Sequence, residues 1–172
     1  MARKLQNTAL IAINVISIFC LIAVLMGQHE LGLFLNLLSK DATGIAMFFI
    51  TVILFLLGIL VYLYVISVVH HIIGRFIFGI RVEFEMFLQA ILTLQFFLVM
   101  AAISNHLLGD RIPINYLFYF NPLIIAGFYL EYRILKGSAN VIMLNPLLFT
   151  IFLFILFEVS QFLTGVWGFL RI

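Results

Sequence analysis

Residues 44–69 read GIAMFFITVILFLLGILVYLYVISVV, and this stretch decides the fold class of the chain. It contains no charged side chain. About 20 consecutive apolar residues suffice for an α-helix to cross the hydrocarbon core of a bilayer, so the stretch predicts a membrane-spanning helix. The expected fold class is all-α, a polytopic bundle of about five transmembrane helices. The four other spans are predicted at about 8–26, 87–108, 114–130 and 146–170.

The composition of the whole chain agrees with a membrane environment. Of the 172 residues, 66% are hydrophobic and 9% are charged, against about 25% charged residues in an ordinary soluble domain. So few polar groups cannot cover the surface of a soluble fold, and the bilayer is the solvent that suits such a chain. We therefore expect one transmembrane domain over residues 1–172, in a multi-pass protein of the bacterial cell membrane.

The charge pattern bears on the partners. The net charge is +2, and no basic run of the kind that binds phosphates is present, so a nucleic-acid partner is not expected. The expected partners are the lipid bilayer and other membrane protein subunits, or a second copy of this chain.

The first span and the segment after it need separate interpretation. The apolar run over residues 9–26 is longer than the apolar core of a signal peptide, which holds about 7–15 residues, so we expect it to be retained as a span. Residues 29–39 are apolar but too short to cross, and they predict an interfacial helix. Pro122 lies inside the fourth predicted span, where it predicts a helix kink.

Basic residues predict the orientation, because they concentrate in cytoplasmic segments. With five spans and a cytoplasmic N-terminus, six basic residues lie inside and three lie outside. The inside set is Arg3, Lys4, Arg75, Arg81, Arg133 and Lys136, and the outside set is Lys40, Arg111 and Arg171. This arrangement places the C-terminus outside the cytoplasm.

Glu158 lies near the centre of the fifth predicted span. A charged residue at that depth costs roughly 2.5 kcal/mol or more. Gln161 follows three residues later on the same helical face. Three interpretations stay open: a proton- or cation-linked site, a contact with a partner helix, and a hydrogen bond that serves packing.

Amide side chains form a second group of intramembrane polar candidates. Such groups join transmembrane helices by hydrogen bonds worth about 0.6–2 kcal/mol each. Packing and a polar substrate path are the two roles that we consider. The candidates are Gln89 and Gln95 in the third span, Asn14 in the first and Asn121 in the fourth.

The loop after the second span mixes charged and large apolar residues, as expected for a segment that lies on the inner leaflet. The same loop is a candidate docking surface for a soluble partner, and a plain solvated hairpin is the simpler alternative. Its charged residues are Arg75, Arg81, Glu83 and Glu85.

Catalytic, metal and cofactor sites have little support in the sequence. There is no Gly-x-Ser-x-Gly elbow and no glycine-rich phosphate loop. His70 and His71 are adjacent, so on a helix their side chains point about 100° apart. We predict no catalytic residue, no metal and no cofactor. An intramembrane enzyme using these histidines or Glu158 is the last-ranked alternative.

Two segments resemble the prokaryotic Yip1-like membrane proteins. They are GRFIFGIRVEFEMFLQA at residues 74–90, with Gly79 and Phe84 in the places of the family's hairpin glycine and phenylalanine, and FYLEYRILKGSA at residues 128–139. The resemblance extends over about residues 44–170. It implies five spans, a cytoplasmic N-terminus, an extracytoplasmic C-terminus and a short polar turn between spans four and five. It implies no enzymatic activity.

Three functions follow as hypotheses. The first is a non-enzymatic membrane protein that scaffolds or assists a membrane complex in export, trafficking or envelope machinery. The second is a small transporter or channel subunit with a midplane polar site around Glu158. The third is a subunit of a respiratory or organelle-encoded complex, since such proteins share the richness in Phe, Ile and Leu.

Overall fold

A computed structural model describes residues 2–38, 42–108, 121–137 and 144–169. These residues form five helices and contain no strand, which confirms the all-α class. The helices are α1 (Ala2–Leu38), α2 (Ala42–Phe76), α3 (Phe84–Leu108), α4 (Pro122–Gly137) and α5 (Leu144–Phe169).

Four of these helices are long and apolar enough to cross a membrane, as expected of a multi-pass membrane protein. The qualifying stretches are Leu5–Leu25, Ile45–Phe76, Phe84–Leu108 and Leu144–Gln161. Helix α4 has 16 residues, which is shorter than the roughly 20 residues of a typical span. The predicted fourth span, at residues 114–130, falls among the described residues only from 121 onward.

Helix α3 is central, and α1 runs parallel to it. The Asn7 Nδ2 group donates to the Glu85 carbonyl at 3.1 Å, and the Asn14 Nδ2 group donates to the Leu92 carbonyl at 2.9 Å. Both bonds join residues 78 positions apart, so the two helices advance together in the same direction. Their N-terminal ends therefore lie at the same end of the bundle.

Helix α4 packs antiparallel on α3. At the start of α4, the Asn121 Nδ2 group donates to Asn105 Oδ1 at 2.7 Å. Farther along, a Cβ built on Gly127 would lie 2.8 Å from the Phe97 Cβ. The absence of a side chain at Gly127 therefore lets the two backbones approach closely, as small residues do in membrane helix pairs.

Helix α5 returns in the direction of α3. Near its start, Phe149 packs edge-to-face on Phe87 with the ring centroids 5.8 Å apart. One to two turns later, Phe154 packs on Phe128 of α4 at 5.3 Å. Because Phe87 lies at the start of α3, these contacts set α5 parallel to α3, and aromatic rings fill the space between the two helices near their N-terminal ends.

The connection between α2 and α3 is a tight hairpin over residues 77–83. Gly79 has a φ of +65°, a left-handed conformation that glycine adopts without steric cost. The Ile80 N–H then donates to the Gly74 carbonyl at 2.9 Å, which closes the C-terminal end of α2. Ile80 is fully buried, whereas Phe76 is 78% exposed.

These helix directions bring basic residues together. The C-terminal ends of α2 and α4 lie at the same end of the bundle as the N-terminal ends of α1, α3 and α5. We call this the basic end, because the described exposed cations at the helix ends and in the hairpin cluster there. They are Arg75, Arg81, Arg133 and Lys136.

Three local predictions differ from the structure. Residues 29–38 continue α1 and do not form a separate interfacial helix, since no proline interrupts the run. The segment 128–139 was expected as a polar turn, but its residues through 137 belong to α4.

The third difference is at Pro122, where the predicted kink is wrong. Asn121 is not helical, and Pro122 is the first residue of α4. At that position the missing N–H of proline has no intrahelical partner to lose. Asn121 Oδ1 accepts from the Leu123 N–H at 2.9 Å, so its side chain caps the helix.

Candidate functional site

A cavity of about 460 Å³ lies between α2, α3 and α5, and one residue each from α1 and α4 also lines it. Its walls are mostly apolar, and several polar side chains also line it. These polar residues come from three different helices: Tyr62 and His70 from α2, Gln95 from α3, and Ser160 and Gln161 from α5. We call this cavity the α2–α3–α5 crevice.

Gln95 is the predicted candidate that the structure places most directly in a site. It lies midway along α3 and lines the crevice. Its amide makes no hydrogen bond with any other described residue. An amide has two donor hydrogens and an acceptor oxygen, and leaving them unpaired at membrane depth costs free energy. Gln95 is therefore positioned to bind a polar group within the crevice.

His70 contributes a second polar group to the same wall. Its Nδ1 lies 2.6 Å from the Ile66 carbonyl oxygen. A carbonyl only accepts, so Nδ1 carries the hydrogen, and Nε2 of the neutral ring is left as an acceptor. His71 turns away and packs edge-on against Phe87 with the ring centroids 4.9 Å apart. The adjacent histidines thus serve different surfaces.

Glu158 and Gln161 share α5 but have different surroundings. Gln161 lines the crevice, and Glu158 does not. The Glu158 side chain is half-buried, and its Oε1 is buried without a hydrogen-bond partner among the described residues. The predicted midplane group around Glu158 is therefore divided: the glutamine faces the crevice with Gln95, and the glutamate lies elsewhere on the helix.

Of the two other predicted amides, Asn14 joins α1 to α3. The Asn14 Nδ2 group is fully buried and donates to the Leu10 carbonyl at 2.8 Å as well as to Leu92 on α3. Gln89 is half-buried on α3, and its backbone carbonyl accepts from the Thr93 hydroxyl at 2.8 Å. Neither residue lines the crevice.

Asn121 organises a polar junction at the start of α4. Its Nδ2 group donates to Ser104 Oγ at 2.9 Å and to Asn105 Oδ1 at 2.7 Å, while its Oδ1 caps the helix. Asn105 and Asn121 are both buried. The amide therefore has two structural roles, which are capping α4 and joining it to α3.

Sequence reasoning missed Glu131. The side chain is fully buried on α4, and neither carboxyl oxygen has a hydrogen-bond partner among the described residues. The signal was present in the helical spacing: Ile124, Phe128, Glu131 and Leu135 follow one another at intervals of three or four residues and form the buried face of α4. The resemblance had placed Glu131 in a turn, where its burial would not be expected.

The charged residues of the hairpin lie on the surface of the basic end. Arg75, Arg81 and Glu83 are exposed, and Glu85 is half-buried. The Glu83 carbonyl accepts from the Met86 N–H at 3.0 Å and so begins α3. Among the described residues, no group of three His, Cys, Asp or Glu side chains could hold a metal ion.

Comparison of the chain with protein-family models, with curated proteins and with solved structures returns no match.

Proposed function

We propose that this chain is a non-enzymatic, multi-pass protein of the bacterial cell membrane that assists a larger membrane complex by binding a helix of another subunit on α2. The observation that carries the proposal is an open groove on α2, lined by Gly58 and by side chains on the same face. The groove residues are Gly58, Val61, Tyr62, Val65, Ile66 and Val69.

The groove has the shape and chemistry that a helix requires. It encloses about 480 Å³, and no atom of the described residues lies within 4 Å of a Cβ built on Gly58. Transmembrane helices associate where small residues let their backbones approach, because lipid provides no hydrophobic drive between them. The face of α2 that packs inside the chain is a different one, formed by Ile59, Leu63 and Ser67.

The helix directions support the proposed topology of five crossings. Helix α3 ends, and α4 begins, at the end of the bundle away from the basic end, and α5 begins at the basic end. The chain must therefore return along α4, which at about 1.5 Å per residue accounts for some 24 Å of the path. With the basic end in the cytoplasm, the N-terminus is inside and the C-terminus outside. This topology is also that of the Yip1-like family, whose lack of enzymatic activity fits the proposed role.

A transporter or channel subunit is the alternative that bears on the α2–α3–α5 crevice. Gln95 and Gln161 line that crevice, but Glu158 and Asn121 do not. A polar path around Glu158 would need these groups to share one cavity. The open groove on α2 is therefore the feature on which we base the function.

Site-specific photo-crosslinking in cells tests the proposal. A photoreactive amino acid at Val61 lies in the groove, and the matched control at Ile53, which is 55% exposed, lies on another face of α2. We expect the photoreactive amino acid at Val61 to give a discrete crosslinked product that the one at Ile53 does not give. This product should disappear when Gly58→Leu fills the groove. Equal crosslinking from both positions, or none from Val61, would contradict the proposal.

A further inference from the structure

We infer that the α2–α3–α5 crevice is a binding site for a neutral, lipid-like amphiphile whose head group both donates and accepts hydrogen bonds, such as the glycerol hydroxyl and ester groups of a diacylglycerol. The inference goes beyond the proposed partner on α2. Tyr62 and Ile66 line both the crevice and the groove, but the central residue of the crevice, Gln95, lies on α3 and does not line the groove.

The size and walls of the crevice suit such a molecule. Its volume of about 460 Å³ falls within the range of roughly 300–1,000 Å³ that small-molecule sites occupy. Large apolar side chains from three helices form most of the surface, among them Leu98 of α3, Phe128 of α4 and Leu153 of α5. These walls match acyl chains, which gain by contact with apolar surface.

The polar lining selects a neutral head group. None of the described residues that line the crevice is Asp, Glu, Lys or Arg. A phosphate or carboxylate placed there would lose its hydration without meeting an opposite charge, at a large cost in free energy. Hydroxyl and ester groups lose much less, and the Gln95 amide and the His70 imidazole can satisfy them.

Gln95 supplies the specific contact. Its amide is without a partner among the described residues, and it needs both an acceptor for its hydrogens and a donor for its oxygen. A glycerol-type head group offers both, through ester carbonyls and a free hydroxyl. His70 adds an acceptor on the facing helix, because its Nδ1–H is already engaged with the Ile66 carbonyl.

We place the entrance to the crevice between α2 and α5. Over the described residues, these two helices are not among the pairs whose backbones pack closely, whereas both α2 and α4 pack on α3. They meet near the basic end, where the His70 and Phe149 ring centroids lie 6.3 Å apart, so a head group would reach Gln95 farther along the helices while its acyl chains stay in contact with lipid.

Photolabelling of the full chain in phosphatidylcholine liposomes tests the inference. The probe is a diacylglycerol with a diazirine in one acyl chain. We expect labelled peptides from α3 or α5. Gln95→Leu should lower the labelling about fivefold, as expected for the loss of one net hydrogen bond. Ala102→Phe should lower it further, because Ala102 lines the crevice and the larger side chain fills it. Gln89→Leu is the matched control, since it removes a glutamine of the same helix outside the crevice, and it should label like the wild type.

Competition separates the possible sources of the ligand. If only unlabelled diacylglycerol competes with the probe, the ligand is a bilayer lipid. If a short-chain monoacylglycerol added from water competes as well, the site also accepts free amphiphiles. Equal competition by anionic phosphatidylglycerol would overturn the neutral head group. Equal labelling of the wild type, Gln95→Leu, Ala102→Phe and Gln89→Leu would overturn the site. Thermal unfolding in detergent checks that each variant is folded. Because Ala102→Phe acts at a different position, it tests the site even if Gln95→Leu fails to fold.

Discussion

Gly127 and Gly58 are both glycines in the middle of apolar helices, yet their surroundings are opposite. A Cβ at Gly127 would lie 2.8 Å from the Phe97 Cβ and 3.2 Å from Leu94 Cδ1, whereas a Cβ at Gly58 would meet no atom within 4 Å. The first glycine completes a contact between α4 and α3 inside the chain. The second lies at an open surface, and the comparison shows that α2 has packing capacity that this chain alone does not use.

Polar side chains follow the same division between the two regions. On α4, Asn121 bonds to Ser104 and Asn105 of α3. On α2, the Ser67 hydroxyl donates to the Leu63 carbonyl at 2.7 Å and the Thr51 hydroxyl to the Met47 carbonyl at 2.8 Å, both within the helix. These two hydroxyls are satisfied without another helix, so neither of them requires a partner from outside α2.

The largest expected effect is that of Gly127→Leu. The added Cβ would lie 2.8 Å from the Phe97 Cβ, so α3 and α4 would have to separate. We therefore expect the free energy of unfolding to fall by about 3 kcal/mol. Denaturant titration in mixed detergent micelles measures the loss. A loss below about 1 kcal/mol would show that the α3–α4 contact is looser than the structure has it.

Asn121→Ala comes next, with an expected loss of about 2 kcal/mol, because it removes the cap of α4 and leaves Asn105 without its donor. Asn121→Ser is the control: serine also caps helices but is too short to keep both bonds to α3, so about half of the loss should be recovered. Equal losses for the two variants would assign the whole effect to the contact with α3.

Glu131→Leu has the opposite expected sign. The carboxyl group is buried without a partner among the described residues, so replacing it by an apolar side chain of similar size should raise the free energy of unfolding by about 1 kcal/mol. Glu131→Gln should stay close to the wild type. If Glu131→Leu lowers the stability, the carboxyl group has a hydrogen-bond partner in the folded protein.

Gly58→Leu should have the smallest effect on the isolated chain, within about 0.5 kcal/mol of the wild type. A Cβ at this position meets no atom of the described residues within 4 Å, and leucine also favours a helix over glycine. The same variant is expected to remove the crosslink at Val61. A large loss of stability would mean that the groove is closed within the chain, and the contrast with Gly127 would then disappear.

The sequence by itself determined the helical, membrane-embedded class and the positions of four long helices. It also determined which basic residues belong together, because Arg75, Arg81, Arg133 and Lys136 do share one end of the bundle. These properties depend on hydropathy and charge along the chain, which add up locally and need no knowledge of packing. Orientation in the membrane stays a prediction.

Only the tertiary structure decided which face each helix presents to its neighbours. A helix that is apolar all round carries no stripe to mark its buried side, so the sequence could not show that Gln95 and Gln161 line one cavity while Glu158 does not. It could not show that the Asn121 side chain bonds to α3 at the same place where it caps α4. These outcomes depend on helix rotation and on partners distant in sequence, and close packing between helices sets both.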